Sequence, residues 1–124
     1  MGAEFYSDAA INLLLGTFAQ ESHLGKWRKQ IKGPALGICQ CERATFDWLK
    51  KKYPKFIKSE FEMIENDDSL AIIVTRLRYY TILDPLPEAN DLPKLAKYWK
   101  DFYNTKYGKG TVEEFISNYR RLVA

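Results

Sequence analysis

Two carboxylates and an amide in the first third of the chain have the residue types of a proton-transfer site. In the first helical pattern Ile11, Leu14, Leu15 and Phe18 repeat at apolar spacings of three and four, and the next place on that stripe, within "AQESHLGKW", belongs to Glu21. A carboxyl group on an apolar face loses hydration, and its pKa rises because the charged form loses most. A glutamate so placed stays protonated near neutral pH and can act as a general acid toward a leaving group. The bland alternative is a buried glutamate bonded to an amide or an arginine, or one that reaches solvent at a frayed helix end.

The second group lies in "LGICQCE". If this piece is extended, Leu36, Ile38, Gln40 and Glu42 share one face while Cys39 and Cys41 share the other. Gln40 and Glu42 then present an amide and a carboxylate together, beside Gly37, which lets a backbone or ligand come close. A solvent-exposed strand edge gives the same pattern. His23 lies two positions from Glu21 and points to another side of the helix, as a rim contact or a plain surface residue. One histidine and a close cysteine pair make no metal set, so no metal or cofactor is expected. A bridge between Cys39 and Cys41 would be strained, and both are read as reduced and packed.

The elements that must position these residues read as helical. The first helix is expected from about Ser7 or Asp8 to about Leu24, with Gly25 as the stop and Glu21 in the last turn. "KGPALGICQCE" predicts an irregular loop leading into a short extended piece. Thr45 can cap a short helix through "FDWLKKKY", ended by Pro54. "SEFE" at Ser59–Glu62 and "TVEE" at Thr111–Glu114 both fit the capping box. Further starts lie at Asp68 and Ser69, and at Asn90 and Asp91 with Pro93 tolerated in a first turn. The reading is five to seven helices with at most a small hairpin.

A chain of 124 residues supports one domain, residues 1–124, with a core of its own. Hydrophobic residues at 46% and charged residues at 28% exclude disordered and collagenous classes. The net charge of +3 favours anionic partners without the dense basic stripe of a dedicated nucleic-acid binder. Lys50, Lys51 and Lys52, with Lys26, Arg28, Lys29 and Lys32, could attract an anionic polymer, although a solvated helix end explains the first three. The apolar run "AAINLLLGTFA" lacks a basic leader and is too short to span a bilayer, so no membrane insertion is expected and action outside a cytoplasm would need another component. Trp48 and Trp99 read as core residues, and Trp27 as the better candidate for a cleft rim.

"ESHLGK", Glu21 to Lys26, followed after a glycine-containing loop by "GICQCE", Gly37 to Glu42, resembles the goose-type lysozymes and soluble lytic transglycosylases, whose pattern is Glu-Ser and then Gly-Leu-Met-Gln. The likeness is nearer to short phage-encoded proteins with a "GPALGIxQ" segment, here Gly33 to Gln40. "DDSLAIIVTRLRYY" is similar to the family's long helix after its hairpin. "YNTKYGKG", Tyr103 to Gly110, looks like a degenerate Ala-Tyr-Asn-x-Gly motif, with Phe102 in place of Ala and the glycine delayed to Gly108. The resemblance implies a mainly α (α+β) lysozyme-like fold, with a long central N-terminal helix and a small β-hairpin or extended loop at the active site. It implies cleavage of the β-1,4 bond between N-acetylmuramic acid and N-acetylglucosamine in peptidoglycan strands, by a monomer carried in a virion or released through a holin.

Carried over by position, the resemblance makes Glu21 the catalytic acid and Glu42 the match of a goose-type aspartate. Ser22 would support the helix end. Gln40 would bind sugar amides or hydroxyls across the cleft from Tyr103 and Asn104, and Ser22, His23, Gly37 and Ile38 complete the candidate substrate-binding set. In an inverting hydrolase Glu21 protonates the glycosidic oxygen while Glu42 activates water from roughly 6.5–9.5 Å away. In a lytic transglycosylase the substrate's C6 hydroxyl attacks, and Glu21 serves alone as acid and then base. A glutamate at the position of Glu42 could equally cap the following helix. Outside this family, a glycan-binding or virion structural module without activity, and a nucleic-acid binder built on "YRRL" and "KYWKDFYNTKYGK", are the other readings.

Overall fold

The computed structural model describes residues 3–29 and 33–123. Lys32, one of the basic residues singled out above, lies outside them, as does the start of the glycine-containing loop. The protein is mainly helical. Among the described residues there are α1 (Asp8–Ser22), α2 (Arg43–Lys52), α3 (Asp68–Tyr80), α4 (Leu92–Trp99) and α5 (Val112–Leu122). Short 3₁₀ turns occupy Ala3–Tyr6 and Phe61–Glu65, and a π-helical turn continues α4 over Lys100–Asn104. No helix among the described residues is long and apolar enough to cross a membrane.

The helix starts follow local chemistry in most places. Ser7 Oγ accepts the Ala10 amide at 3.2 Å and opens α1. Thr111 and Glu114 form the expected capping box of α5, with reciprocal bonds of 3.1 and 3.0 Å. Asp91 caps α4, with Pro93 in its first turn. The cap of α3 is Asp67, one residue before the expected start, because Asp68 is drawn into a bidentate pair with Arg28. The second capping box does not form. Glu62 is held instead by Arg43 at 2.8 Å, and the segment winds into a 3₁₀ turn. α2 begins at Arg43 rather than at Thr45 and stops at Lys52, before Tyr53 and Pro54.

α1 packs against α3, α4 and α5 and is enclosed on most sides. Its buried residues include Ala10, Leu13, Leu14, Thr17 and Phe18, so the core face is rotated from the expected stripe: Ile11 is exposed and Leu15 only partly covered. Glu21 follows Ala10, Leu14 and Thr17 at helical spacing, in the middle of the buried face. Gly16 permits the close approach of α5. A Cβ there would stand 2.3 Å from Cζ of Phe115, whose ring also packs on Trp99 with centroids 5.3 Å apart. Phe115 therefore fastens the first and fourth helices together.

The end of α1 is set by its own last residue. Ser22 is fully buried, and its Oγ donates to the Ile38 carbonyl at 2.6 Å while accepting the Gly25 amide at 2.9 Å. That bond reverses the chain early. His23 and Leu24 take left-handed φ of 51° and 56°, so the helix ends two residues before the expected Leu24. The strand expected beyond the loop is also replaced. Leu36 and Cys41 bond each other's backbones at 2.9 Å and close a tight turn, and the described residues hold only two isolated bridges, Lys29–Leu36 and Leu36–Cys41. The alternation of faces along Leu36–Glu42 does not exist, because Gly37 and Gln40 take positive φ of 84° and 50°.

Candidate active site

The turn, the ends of three helices and the loop after the π-helical turn enclose a cleft of about 380 Å³. Its lining includes Glu21 from the end of α1, Gln40 and Glu42 around the start of α2, Arg78 from the end of α3, and Tyr103 and Asn104 from the π turn. Five residues singled out in the sequence, Glu21, Gln40, Glu42, Tyr103 and Asn104, thus meet in one depression.

Glu21 lies at its inner side. Burial pushes its carboxyl up to about 7, opposed by a hydrogen bond from Trp99 Nε1 and by the nearby Arg78 cation. Withdrawal from water is the strongest of these effects, so the group holds a proton through the weakly acidic range. The indole N–H reaches Oε2 at 3.0 Å and fixes the carboxyl orientation. Below it Thr17 Oγ1 donates to the Leu13 carbonyl at 2.7 Å and lies 2.8 Å from the Tyr79 hydroxyl, closing the floor with satisfied polar groups.

Glu42 is exposed on the cleft and sits at the N-cap position of α2, but its side chain makes no cap bond. Among the described residues it has no ion pair either. The capping role is therefore not taken up by the carboxylate, which is left to the solvent of the cleft.

Gln40 is more tightly committed. Its Nε2 donates toward the carbonyls of Trp27, Arg28 and Gly37 at 3.1, 3.2 and 2.9 Å. Three carbonyl oxygens around one amide terminus require the nitrogen there, so the oxygen is the end left for a ligand, as an acceptor. Gly37 shapes this turn from within, since a Cβ on it would stand 2.5 Å from the Ile64 carbonyl oxygen.

On the opposite wall Tyr103 is buried and its hydroxyl donates to the Cys39 carbonyl at 2.6 Å, tying the π turn to the Gly37–Cys41 turn. The hydroxyl is thus occupied, and the ring is covered by Tyr79, with centroids 5.4 Å apart, and by the Arg78 guanidinium, 3.9 Å from its centroid. Lys100 Nζ donates to Asn104 Oδ1, Gly108 O and Gly110 O at 2.6, 3.1 and 2.7 Å, which holds the loop in a closed curl. A π-helical turn widens the backbone by one residue per turn, a device frequent at functional sites. Thr105 closes it with φ 66° and ψ 174°, a conformation nearly confined to glycine.

The other expected site residues lie elsewhere. Ser22 is under the turn as a strut, and Ile38 contributes the carbonyl that Ser22 holds. His23 stacks on Trp27 at 4.2 Å between ring centroids, outside the cleft lining, and its pKa is lowered by burial and by the Arg121 and Lys26 cations. Trp27 is exposed against His23 and does not line the cleft. Cys39 and Cys41 are free and buried.

Two residues of consequence escape a reading of the sequence. Trp99 is fully buried, as a core tryptophan should be, yet its one polar atom is on Glu21. Its place four residues before Tyr103 is the signal that would have put it on the same face as that motif. Arg78 stands two residues after Arg76 in "TRLRYY", both charges in the mostly apolar helical pattern that begins at Leu70, an oddity of the same kind as Glu21 on its stripe. Set against family models, curated proteins and solved structures, the chain matches none of them.

Proposed function

We propose that this chain is a peptidoglycan-cleaving glycosidase of lysozyme-like fold, a muramidase in which Glu21 is the general acid and Glu42 the base. The observation that carries the reading is the pairing, in one cleft, of a shielded carboxyl with a pKa of about 7 and an exposed carboxylate without an ion-pair or cap partner among the described residues. Two carboxyl groups in unlike environments are what acid and base assignments require. The motif likeness of "ESHLGK" and "GICQCE" supplies the substrate class.

In this mechanism the Glu21 proton passes to the glycosidic oxygen as the bond from that oxygen to the anomeric carbon breaks. Glu42 takes a proton from the water that attacks the same carbon from the opposite face, which inverts its configuration. Trp99 then stabilises the Glu21 carboxylate left behind, since a donor to the charged form favours it. Gln40 accepts an N–H or hydroxyl from the sugar.

The test is mass spectrometry of the muropeptides released from purified peptidoglycan by the wild type and by Glu42→Gln. Products with reducing ends, lost in the variant, are expected. Anhydro-muramyl products that survive the change would replace the hydrolase with a transglycosylase, and no release under any condition would leave a glycan-binding module.

A further inference from the structure

Among the described residues lining the cleft Arg78 is the only cationic side chain, and it is half-buried there. A guanidinium has five N–H donors in a fixed plane. One side is fixed: Nη2 donates to the Tyr103 carbonyl at 2.8 Å, and the Tyr103 ring lies 3.9 Å from the guanidinium carbon. No further acceptor for it and no ion pair occurs among the described residues. Arg28 and Arg43 instead pair with Asp68 and Glu62, and Arg76, held like Arg78 by a carbonyl and a ring, lies outside the cleft lining. Glu21 is near enough to feel the Arg78 charge but, like the exposed Glu42, forms no ion pair with it among the described residues.

A cation held rigid by a carbonyl and a ring, with donors unused in a polar cleft, is arranged for a planar anion. Arginine matches a carboxylate with two parallel bonds, a geometry that lysine cannot copy. The sugars of a chitin-like polymer are neutral, whereas a muramyl residue carries a lactyl group that ends in a carboxylate, or in an amide once a peptide is attached. The attached peptide brings carboxylates of its own.

We infer that Arg78 is a specificity residue that binds a carboxylate of the muramyl unit and thereby selects muramyl glycans over neutral N-acetylglucosamine polymers. The inference rests on the glycan-cleaving reading of the site. Arg78 makes no bond in the chemical step; its contribution is to place the charged sugar across Glu21 and Glu42.

The experiment measures binding by calorimetry to Glu21→Gln protein, which cannot turn the ligand over. The ligands are the disaccharide of N-acetylglucosamine and N-acetylmuramic acid with its lactyl carboxylate free, the same disaccharide with that group amidated, the peptide-bearing form, and chitobiose. The free acid is expected to bind about tenfold more tightly than its amide, a loss typical for one charge-assisted pair. Recovery of affinity in the peptide-bearing form alone would assign the carboxylate to the peptide. Arg78→Gln should abolish the difference between acid and amide, and Arg78→Lys should restore only part of it.

Equal affinity for the acid, the amide and the peptide-bearing form overturns the inference while leaving the cleavage reading intact. Binding of none of the muramyl ligands overturns both. Because the ligand comparison is made with arginine in place, the outcome does not depend on whether an Arg78 variant folds.

Discussion

Trp99 Nε1 donates to Glu21 Oε2 at 3.0 Å, joining the fourth helix to the last turn of the first. The bond and the burial act on the carboxyl in opposite senses. Burial prevails and lifts the group to about 7, and the indole limits how far it rises.

Trp99→Phe removes the donor and keeps most of the ring volume. The Glu21 pKa should therefore move further up, carrying the alkaline limb of the pH–rate profile with it. Truncating the buried indole should cost about 1–3 kcal/mol of stability. A pH profile of peptidoglycan lysis checks the direction, and an unmoved limb would separate Glu21 from the observed titration.

Glu21→Gln should lower lysis by about 10²–10⁴-fold, the usual contribution of a general acid, while retaining the fold. Stability supplies an independent reading. The folded pKa of about 7 lies above the ordinary 4.5, so the folded state holds the proton more tightly. That contribution is complete below pH 4.5, declines as pH rises, and is gone above 7. At 1.36 kcal/mol per unit the loss amounts to about 3 kcal/mol. Urea titrations at pH 4, 6 and 8 should show the decline in the wild type and none of it in the glutamine variant.

Thr105→Gly should stabilise the protein. A β-branched residue at φ 66° and ψ 174° carries strain of about 1–3 kcal/mol, against about 0.5–1 kcal/mol for the greater freedom of glycine in the unfolded chain. The expected net gain is about 1 kcal/mol in urea unfolding. Activity should fall in the same variant, because the wall beside Asn104 is less firmly shaped. A loss of stability would show that the Thr105 conformation is not strained.

What could be read in the sequence was local. The Thr111–Glu114 box, Asp91 with Pro93, and the stop before Pro54 each depend on residues within a turn of one another, and the helix ends they set are where the pattern put them. The gathering of Glu21, Gln40, Glu42, Tyr103 and Asn104 followed from motif likeness rather than from any such rule. The errors came where a distant residue intervened. Arg43 diverted Glu62 from its box, Ile64 confined Gly37, and Ser22 reached Ile38 and shortened α1. Strand parity placed Gln40 beside Glu42 for the wrong reason, since both reach the cleft from a tight turn and a helix start. Spacing could put Trp99 on the face of Tyr103, but its bond to Glu21 and that of Arg78 to the Tyr103 carbonyl depend on what faces them across the fold.

Phe115 seats on Gly16 and against Trp99, and α5 follows every cleft-lining residue along the chain. During synthesis, a nascent polypeptide halted at Gly110 already contains the whole cleft lining, but not the ring that draws its first and fourth helices together. Such long-range closure comes late in folding, because the entropy of the intervening loop must be overcome first. The contact of Phe115 with Gly16 and Trp99 thus forms only after translation has passed α5, and a ribosome-bound precursor carries the cleft-lining residues without it.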